Sequence, residues 1–379
     1  IVIRLKMLDN KLYYNLYFNW WRNLDKTILM IIILLFTLGL LFSLLSTSLV
    51  ASDRLNTNNY FFFLKHCLFI LIGISTMFFF SILGKNKLFF LSYILFLIFF
   101  VSLILVPLIG TEVKGSKRWL DIFFLPRFQP IEILKPFIII LISTALTFEN
   151  KNYQYIKYFV SFLLILPIIS LLASQPDIGQ TILIFFTWLA LIFISGINLY
   201  LFFSFFSVIL FSVASLILFF PKFQYILIRI TSFFDPSSGN NYQAEKASEA
   251  IISGGFFGKG IGEGVLKNKV PEAHTDYIVS VISEEFGAIM IFFILLIFLI
   301  FLFKIFKKIS YLKNDKIRLI IFGCSIIIFF QFLVHLGVNI RILPTTGMTL
   351  PFLSYGGSSI IGSSILAGII LNLTKKNIY

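Results

Sequence analysis

Apolar residues come in blocks of about twenty, separated by short polar joints, over almost the whole chain. The blocks fall at Ile28–Val50, Phe61–Leu83, Leu88–Gly110, Ile131–Leu146, Tyr155–Ala173, Ile178–Ile194, Leu199–Phe220, Tyr277–Phe303, Leu319–Val338 and Leu350–Leu373. A helix needs about 20 such residues to cross a bilayer. Blocks this long and this numerous do not read as buried helices of a soluble core. The pattern predicts an all-α integral membrane protein, a polytopic bundle of about ten transmembrane helices. No segment between the blocks is long enough to build a core of its own. Residues 1–379 therefore read as a single membrane domain, with an N-terminal segment at 1–27 and one large loop at 221–276. No internal repeat stands out, which weighs against a transporter built from inverted halves. The first block is too long and too late for a cleavable signal peptide.

Composition sharpens this. Hydrophobic residues make up 59% of the chain and charged residues 13%, against about 45–50% and about 25% in soluble domains. The few charges are lopsided: 31 Lys and Arg face 17 Asp and Glu, a net +14. Short cytoplasmic loops attract such positives. With the N-terminus inside, seventeen of them fall on inner segments, six of these between Lys304 and Arg318. Both termini are then expected in the cytoplasm. The other fourteen fall on the outer face, eleven of them in Thr111–Lys135 and Pro221–Asp276. Long loops translocate regardless of charge, so these positives are either incidental or handle an anionic ligand. No nucleic-acid partner is expected. Cys67 and Cys324 sit in apolar blocks and read as free thiols. His66, His274 and His335 are too scattered in sequence to suggest a metal cluster. The 49 Phe reflect a general compositional bias more than a binding role.

Four outer segments carry polar chemistry. In Gly115–Lys135, basic and aromatic residues alternate before Pro130 opens a helix with Glu132 and Lys135 one turn apart. The first part suits an interfacial strip, with Trp119 at the headgroups. Ionisable groups inside a span are functional candidates, because burying them is costly. In Ser174–Gly179, Asp177 is a natural helix N-cap. Around Lys267–Glu285, Glu272, His274 and Asp276 crowd the mouth of a span, with Glu284 and Glu285 further down; a carboxylate here suits a general base. In Asn339–Ser359, prolines break the helix and small residues enter the last span, where they favour close helix packing. All four segments lie on one side of the membrane, which favours a single outward-facing site.

Several motifs, in order, resemble the SEDS family (shape, elongation, division and sporulation). They are Lys117-Arg118-Trp119-Leu120, Arg127-Phe128-Gln129-Pro130 with Glu132 and Lys135, Gln175-Pro176-Asp177-Ile178-Gly179, Pro271-Glu272-Ala273-His274-Thr275-Asp276, and Leu350-Pro351 with Ser354-Tyr355-Gly356-Gly357-Ser358. Ala273 and the run from Leu343 to Ser359 are similar to the family's division branch more than to its elongation branch. The resemblance implies a multi-pass peptidoglycan glycosyltransferase of the bacterial inner membrane, enriched at the division septum. It implies polymerisation of lipid II, an undecaprenyl-diphosphate-linked disaccharide pentapeptide, into β-1,4 glycan strands. The partners implied are a class B penicillin-binding protein transpeptidase and other membrane proteins of the divisome. The family's essential carboxylate matches Asp276. Its outer-face residues match Lys117, Arg118, Trp119, Gln129, Glu132, Lys135, Asp177 and Glu272, with His274, Arg341, Ser354 and Tyr355 as further substrate-binding candidates. Three positions depart from the pattern: Ile131 for a usual Ser, Ser283 for a frequent Gly, and Thr346 where division members often carry Lys, a charge that Arg341 is placed to replace. No resident cofactor is expected; a divalent cation, Mg or Mn, is an open expectation.

The reaction asks for a base to deprotonate a sugar hydroxyl and for positive charge to hold the departing diphosphate. Asp276 is the expected base, and Lys117, Arg118 and Lys135 are the expected cations. Two rivals belong to other classes: a lipid II flippase, and a noncatalytic scaffold for the transpeptidase.

Overall fold

The computed structural model describes residues 18–46, 61–113, 115–122, 126–148, 155–235 and 242–376. All ten apolar blocks are helices in it. They are α1 (Lys26–Ser46), α2 (Phe61–Ile82), α3 (Lys85–Ile109), α4 (Pro130–Leu146), α5 (Ile156–Ser174), α6 (Ile178–Ile194) and α7 (Leu199–Phe219). After the large loop come α10 (Ile278–Ile309), α11 (Asp315–Asn339) and α12 (Gly357–Leu373). Helices are the natural choice for a single apolar segment in lipid, because every interior N–H and C=O is satisfied within the segment. Seven of the ten are long and apolar enough to cross a membrane. The other three, α4, α6 and α12, have 17 residues each, roughly 26 Å of helix.

Two of the short helices, α4 and α12, sit inside. Nearly every residue of α4 and α12 is buried, whereas α3 and α7 turn large apolar side chains outward, Phe90 and Phe211 among them. Small residues let the central helices touch. A methyl at Gly368 of α12 would lie 2.6 Å from the Met77 carbonyl of α2. The expectation that the small residues of the last span serve packing holds in this respect.

Contacts sort the joints into two sets, as strict up-and-down alternation requires. At one end Asp25 pairs with Lys308 at 2.9 Å, the Trp20 indole donates to Ser81 Oγ at 2.9 Å and Asn372 Nδ2 donates to the Leu83 carbonyl at 2.7 Å. At the other end the segments around Arg118, Asp177, Asp276 and Ser354 meet one another.

Three sequence expectations need correction. The block Leu350–Leu373 becomes helical only at Gly357. Phe352 holds a left-handed φ of 66°, and Ser354 Oγ takes the Leu350 amide at 2.8 Å, so the chain turns first. The span opened by Tyr277 runs on to Ile309, past the expected end at Phe303. The loop 221–276 is not featureless. After a 3-10 turn at Pro221–Phe223 it forms α8 (Gln224–Phe234) and α9 (Tyr242–Gly254). Helix α9 borrows its core, packing Ala247 and Ala250 against Tyr277 and Val281 of the α10 start and Val338 of α11. A small antiparallel hairpin, β1 (Thr111–Val113) and β2 (Ser116–Trp119), precedes α4. The Ser237–Asn241 stretch, the joint 51–60 and most of the N-terminal segment lie outside the described residues.

One local feature organises the end where Arg118, Asp177 and Asp276 meet. Helix α10 is broken at Gly287, whose φ of 76° and ψ of −179° are not helical. The break frees backbone groups inside a span, where lipid offers no partner. The glycine-rich segment after α9 supplies them. Lys259 N donates to Glu284 O at 2.9 Å and Gly260 N to Glu285 O at 3.0 Å, while Gly255 O and Phe256 O accept from Ala288 N and Ile289 N at 3.0 and 3.2 Å. The glutamates at the break seal the same join. Glu284 accepts from the amides of Leu266 and Lys267 at 2.8 and 2.6 Å. Glu285 accepts from Gly262 N at 3.0 Å and pairs with the Lys267 ammonium. These buried carboxylates therefore anchor the loop.

Gly287→Ala should break this join. Only glycine adopts that backbone freely, and an added methyl would meet the Phe256 carbonyl. A cost of about 1–3 kcal/mol is expected to lower the thermal midpoint of the purified protein by several degrees, as read by intrinsic fluorescence.

Candidate active site

The site is built at the N-terminal mouth of α10. The turn before the helix is closed by one carbonyl: Glu272 O accepts from the amides of Thr275, Asp276 and Tyr277 at 3.1, 3.1 and 3.2 Å. Glu272 itself is left-handed, with φ 57°. Its carboxylate accepts from Thr275 Oγ1 at 3.1 Å, so Glu272 shapes the turn.

Three successive carbonyls of this turn are then held from outside. Tyr355 N donates to His274 O at 3.0 Å, Ser354 Oγ to Thr275 O at 2.8 Å and Asn339 Nδ2 to Asp276 O at 3.1 Å. The first two come from the turn ahead of α12, the third from the end of α11. Asp276 is thus fixed by its backbone while its side chain stays half-buried. The His274 ring lies 5.2 Å from Phe62 and 5.6 Å from Tyr355, in an aromatic cluster behind the turn. Burial raises the Tyr355 phenol above its ordinary range, which suits a neutral packing role.

Positive charge faces this carboxylate. Asp276 Oδ2 and Arg118 Nη1 lie 3.6 and 3.8 Å from the point where a Cβ on Gly347 would sit. Arg118 comes from β2. It pairs with Asp177 at 3.9 Å and donates to the Pro176 carbonyl, yet its buried Nε has no partner. Asp177 caps α6 by accepting from Gln180 N at 3.4 Å, as its place before the helix suggests. It also accepts from Gln129 Nε2 at 2.8 Å. Burial pushes the Asp177 carboxyl upward, and Arg118 pulls it back.

Helix α8 adds a residue that stands in the amino-acid sequence as one positive charge among many. Arg229 donates to Thr345 O at 3.3 Å. Burial, then the neighbouring Arg118 guanidinium, lower its pKa. Tyr225, one turn earlier, donates to Ala173 O at 3.0 Å and docks α8 onto α5. The signal for Arg229 was present: it is the only charge in QYILIRITSFF, a cation in an otherwise apolar segment. Arg341 is near enough to Tyr277 for its charge to act there, as does that of Asp276, so it belongs to the same face. Lys117 is exposed on the hairpin beside half-buried Trp119.

Lys135 is placed differently from an open cation. It is 1% exposed. Its ammonium lies 2.7 Å from Glu132 Oε2 and 2.8 Å from Gln331 Oε1. Glu132 also accepts from Gln180, and Gln331 donates to Thr349 O at 3.0 Å. Glu132 and Lys135 form a buried polar knot joining α4, α6, α11 and the turn ahead of α12. As for a metal, no three His, Cys, Asp or Glu side chains converge among the described residues.

A buried pair stripped of one member leaves an uncompensated charge, at a cost of about 3–5 kcal/mol. Lys135→Met alone should therefore destabilise the protein strongly, and Glu132→Gln with Lys135→Met should recover much of the loss. Thermal unfolding of the two purified variants beside the parent checks this.

Comparison with known proteins agrees with this architecture. The family described as cell cycle protein, FtsW/RodA/SpoVE, matches residues 25–379. A probable peptidoglycan glycosyltransferase FtsW of Caulobacter vibrioides is 33% identical over 358 residues, covering 94% of this chain and 90% of that protein. The protein of the same name from Coxiella burnetii is 34% identical over 366 residues, 93% of this chain and 96% of the relative. Among solved structures, Thermus thermophilus rod shape determining protein RodA superposes with a TM-score of 0.69 at 25% identity, covering 95% of this chain and 99% of that one. A chain of a peptidoglycan synthase complex, solved for the coordination of polymerization and crosslinking, gives 0.75 at 24% identity, covering 94% and 98%. On the match along nearly its whole length and on the shared bundle, this chain belongs to the SEDS family of shape, elongation, division and sporulation proteins, and within it resembles FtsW.

Proposed function

We infer that this protein is a peptidoglycan glycosyltransferase of the division type. It polymerises lipid II into β-1,4-linked glycan strands and releases undecaprenyl diphosphate. Relatives named probable peptidoglycan glycosyltransferase FtsW, 30–34% identical over most of the chain, support the activity. The observation that carries the mechanism is the meeting of Asp276 and Arg118 across Gly347.

In the reaction the acceptor's GlcNAc 4-hydroxyl forms a bond to the donor's anomeric carbon. The bond from that carbon to the diphosphate oxygen breaks. The hydroxyl proton goes to Asp276, and the electron pair leaves with the diphosphate. Displacement from the opposite face inverts the anomeric carbon and gives the β linkage. Charge develops on the diphosphate, and fixed cations stabilise it best in a site that excludes water. Arg118, with its unspent Nε, Arg229 and Arg341 serve here, and exposed Lys117 draws in the anionic substrate. Lys135 holds the frame of the site through Glu132 and Gln331. A divalent cation, where used, enters with the substrate.

A class B penicillin-binding protein is the proposed transpeptidase partner; the fold shared with a chain of a synthase complex supports this. Other divisome membrane proteins are expected beside it. The protein spans the membrane several times. We place it in the inner membrane at the septum with both termini in the cytoplasm, following the distribution of its basic residues. A flippase needs polar groups leading to the opposite leaflet, but the buried Lys135 and Gln331 are tied to each other and to the Thr349 carbonyl.

One assay separates the readings. Purified protein with its transpeptidase partner is given labelled lipid II, and products are resolved on a gel beside a leaflet-exchange measurement in the same liposomes. The parent should make polymer, and Asp276→Asn should make none while keeping its thermal midpoint. Arg229→Gln should cut polymerisation at least tenfold. Polymer from Asp276→Asn would remove Asp276 as the base, and lipid exchange without polymer would favour the flippase. Asn339→Ala should lower kcat with little change in KM, because it loosens the Asp276 backbone and touches no substrate.

A further inference from the structure

We propose that the end of the bundle opposite Asp276 carries a binding site for an anionic phospholipid, with Lys304, Lys307 and Lys313 holding its phosphates. A cavity of about 730 Å³ opens there between the start of α1 and the end of α10. Lys304, Lys307 and Lys308 line it from one face of α10, spaced three and four residues apart as helix neighbours are. Lys313 closes it from the following turn.

Asp25 is the only acidic residue in the lining, and it is already committed. It caps α1 by accepting from the amides of Thr27 and Ile28 at 3.1 and 3.2 Å and pairs with Lys308 at 2.9 Å. Asn314 is committed too, its Oδ1 accepting from Ile317 N to cap α11. Among the described residues, Lys304, Lys307 and Lys313 have no carboxylate within ion-pair distance. Among the described residues, these three ammonium groups thus line a concave space with no carboxylate of their own.

The place of the cavity selects a lipid over a soluble anion. One turn before the lysines, α10 turns Ile300 and Phe303 outward, 41% and 65% exposed, and Met30 of α1 is 67% exposed. These side chains belong to the apolar sides of two spanning helices, where lipid tails lie. A headgroup in the cavity can keep its acyl chains on that strip without crossing polar surface. Exposed Tyr311 at the rim offers a ring of the kind that settles at the headgroup level. Topology alone calls for positive charge on this joint, and a basic pocket between spanning helices binds anionic headgroups. Three open lysines suit a lipid with two linked phosphodiesters, a diphosphatidylglycerol, better than one with a single phosphate.

The site is independent of the reading of Asp276, and its test does not use glycan synthesis. Full-length protein is purified in detergent and presented with diphosphatidylglycerol, phosphatidylglycerol or phosphatidylcholine, and retained lipid is counted by native mass spectrometry. The parent should retain diphosphatidylglycerol at least tenfold over phosphatidylcholine, with phosphatidylglycerol between. K304Q/K307Q/K313Q should lose that preference. K304R/K307R/K313R should keep it, which shows that the loss follows charge and is not a failure to fold. K85Q/K87Q/K157Q, which removes as much charge elsewhere on the same face, should also keep it. No preference in the parent, equal retention by K304Q/K307Q/K313Q, or displacement of the lipid by millimolar inorganic diphosphate would each overturn the proposal.

Discussion

A backbone polar group inside a bilayer must find its partner within the protein, and in this chain that rule acts most sharply at Gly287. The break in α10 exposes the carbonyls of Glu284 and Glu285 and the amides of Ala288 and Ile289. The glycine-rich segment after α9 answers all four. The two glutamate side chains then bind the next stretch of the same loop, through the amides of Gly262, Leu266 and Lys267. A long extramembrane segment becomes part of the bundle, and the turn carrying Asp276 lies between that anchorage and the upper half of α10. Without the join, the turn carrying Asp276 would lose its anchorage on this side.

The remaining supports of the site follow from that placement. Because the turn is fixed from below, the donors from Asn339, Ser354 and Tyr355 can hold three successive carbonyls from above. Arginines then approach from the hairpin and from α8, each held by bonds to backbone carbonyls. Preorganised cations of this kind stabilise developing negative charge without having to move during the reaction. Deeper down, the Glu132–Lys135 pair bonds to Gln180 and Gln331. Buried ionic groups of this kind are expensive to break, and here they fix the separation of α4, α6 and α11. The polar interior serves the frame.

Much of this was legible in the sequence because hydrophobic length is a strong signal. All ten apolar blocks are helices, most with ends within a few residues of those expected. Asp177 was readable as a cap because Asp before an apolar run has few other uses. The failures have physical causes. Periodicity says nothing of a turn driven by one side chain, so the late start of α12, where Ser354 captures the Leu350 amide, was invisible. Glu284 and Glu285 looked like chemistry because a carboxylate in an apolar helix is costly. Their partners are backbone amides of a loop that sequence patterns could not bring near. Lys135 looked like an open cation for the same reason, since its partner Gln331 comes from α11, far along the chain. Arg229 was in plain view, but α8 was hidden within a loop whose polar ends drew the eye. Side chains whose roles depend on long-range partners are the ones that sequence alone misassigns.

The claim most open to direct test is that the glycine segment completes the broken helix and so holds Asp276 in place. Hydrogen–deuterium exchange of the purified protein in lipid nanodiscs reads the amides concerned. The structure predicts that Lys259, Gly260, Leu266, Lys267, Ala288 and Ile289 exchange as slowly as amides in the middle of α10, and that Gly287→Ala releases them together with Thr275 and Asp276. Exchange at loop-like rates in the parent protein, or slow exchange unaffected by Gly287→Ala, would contradict it.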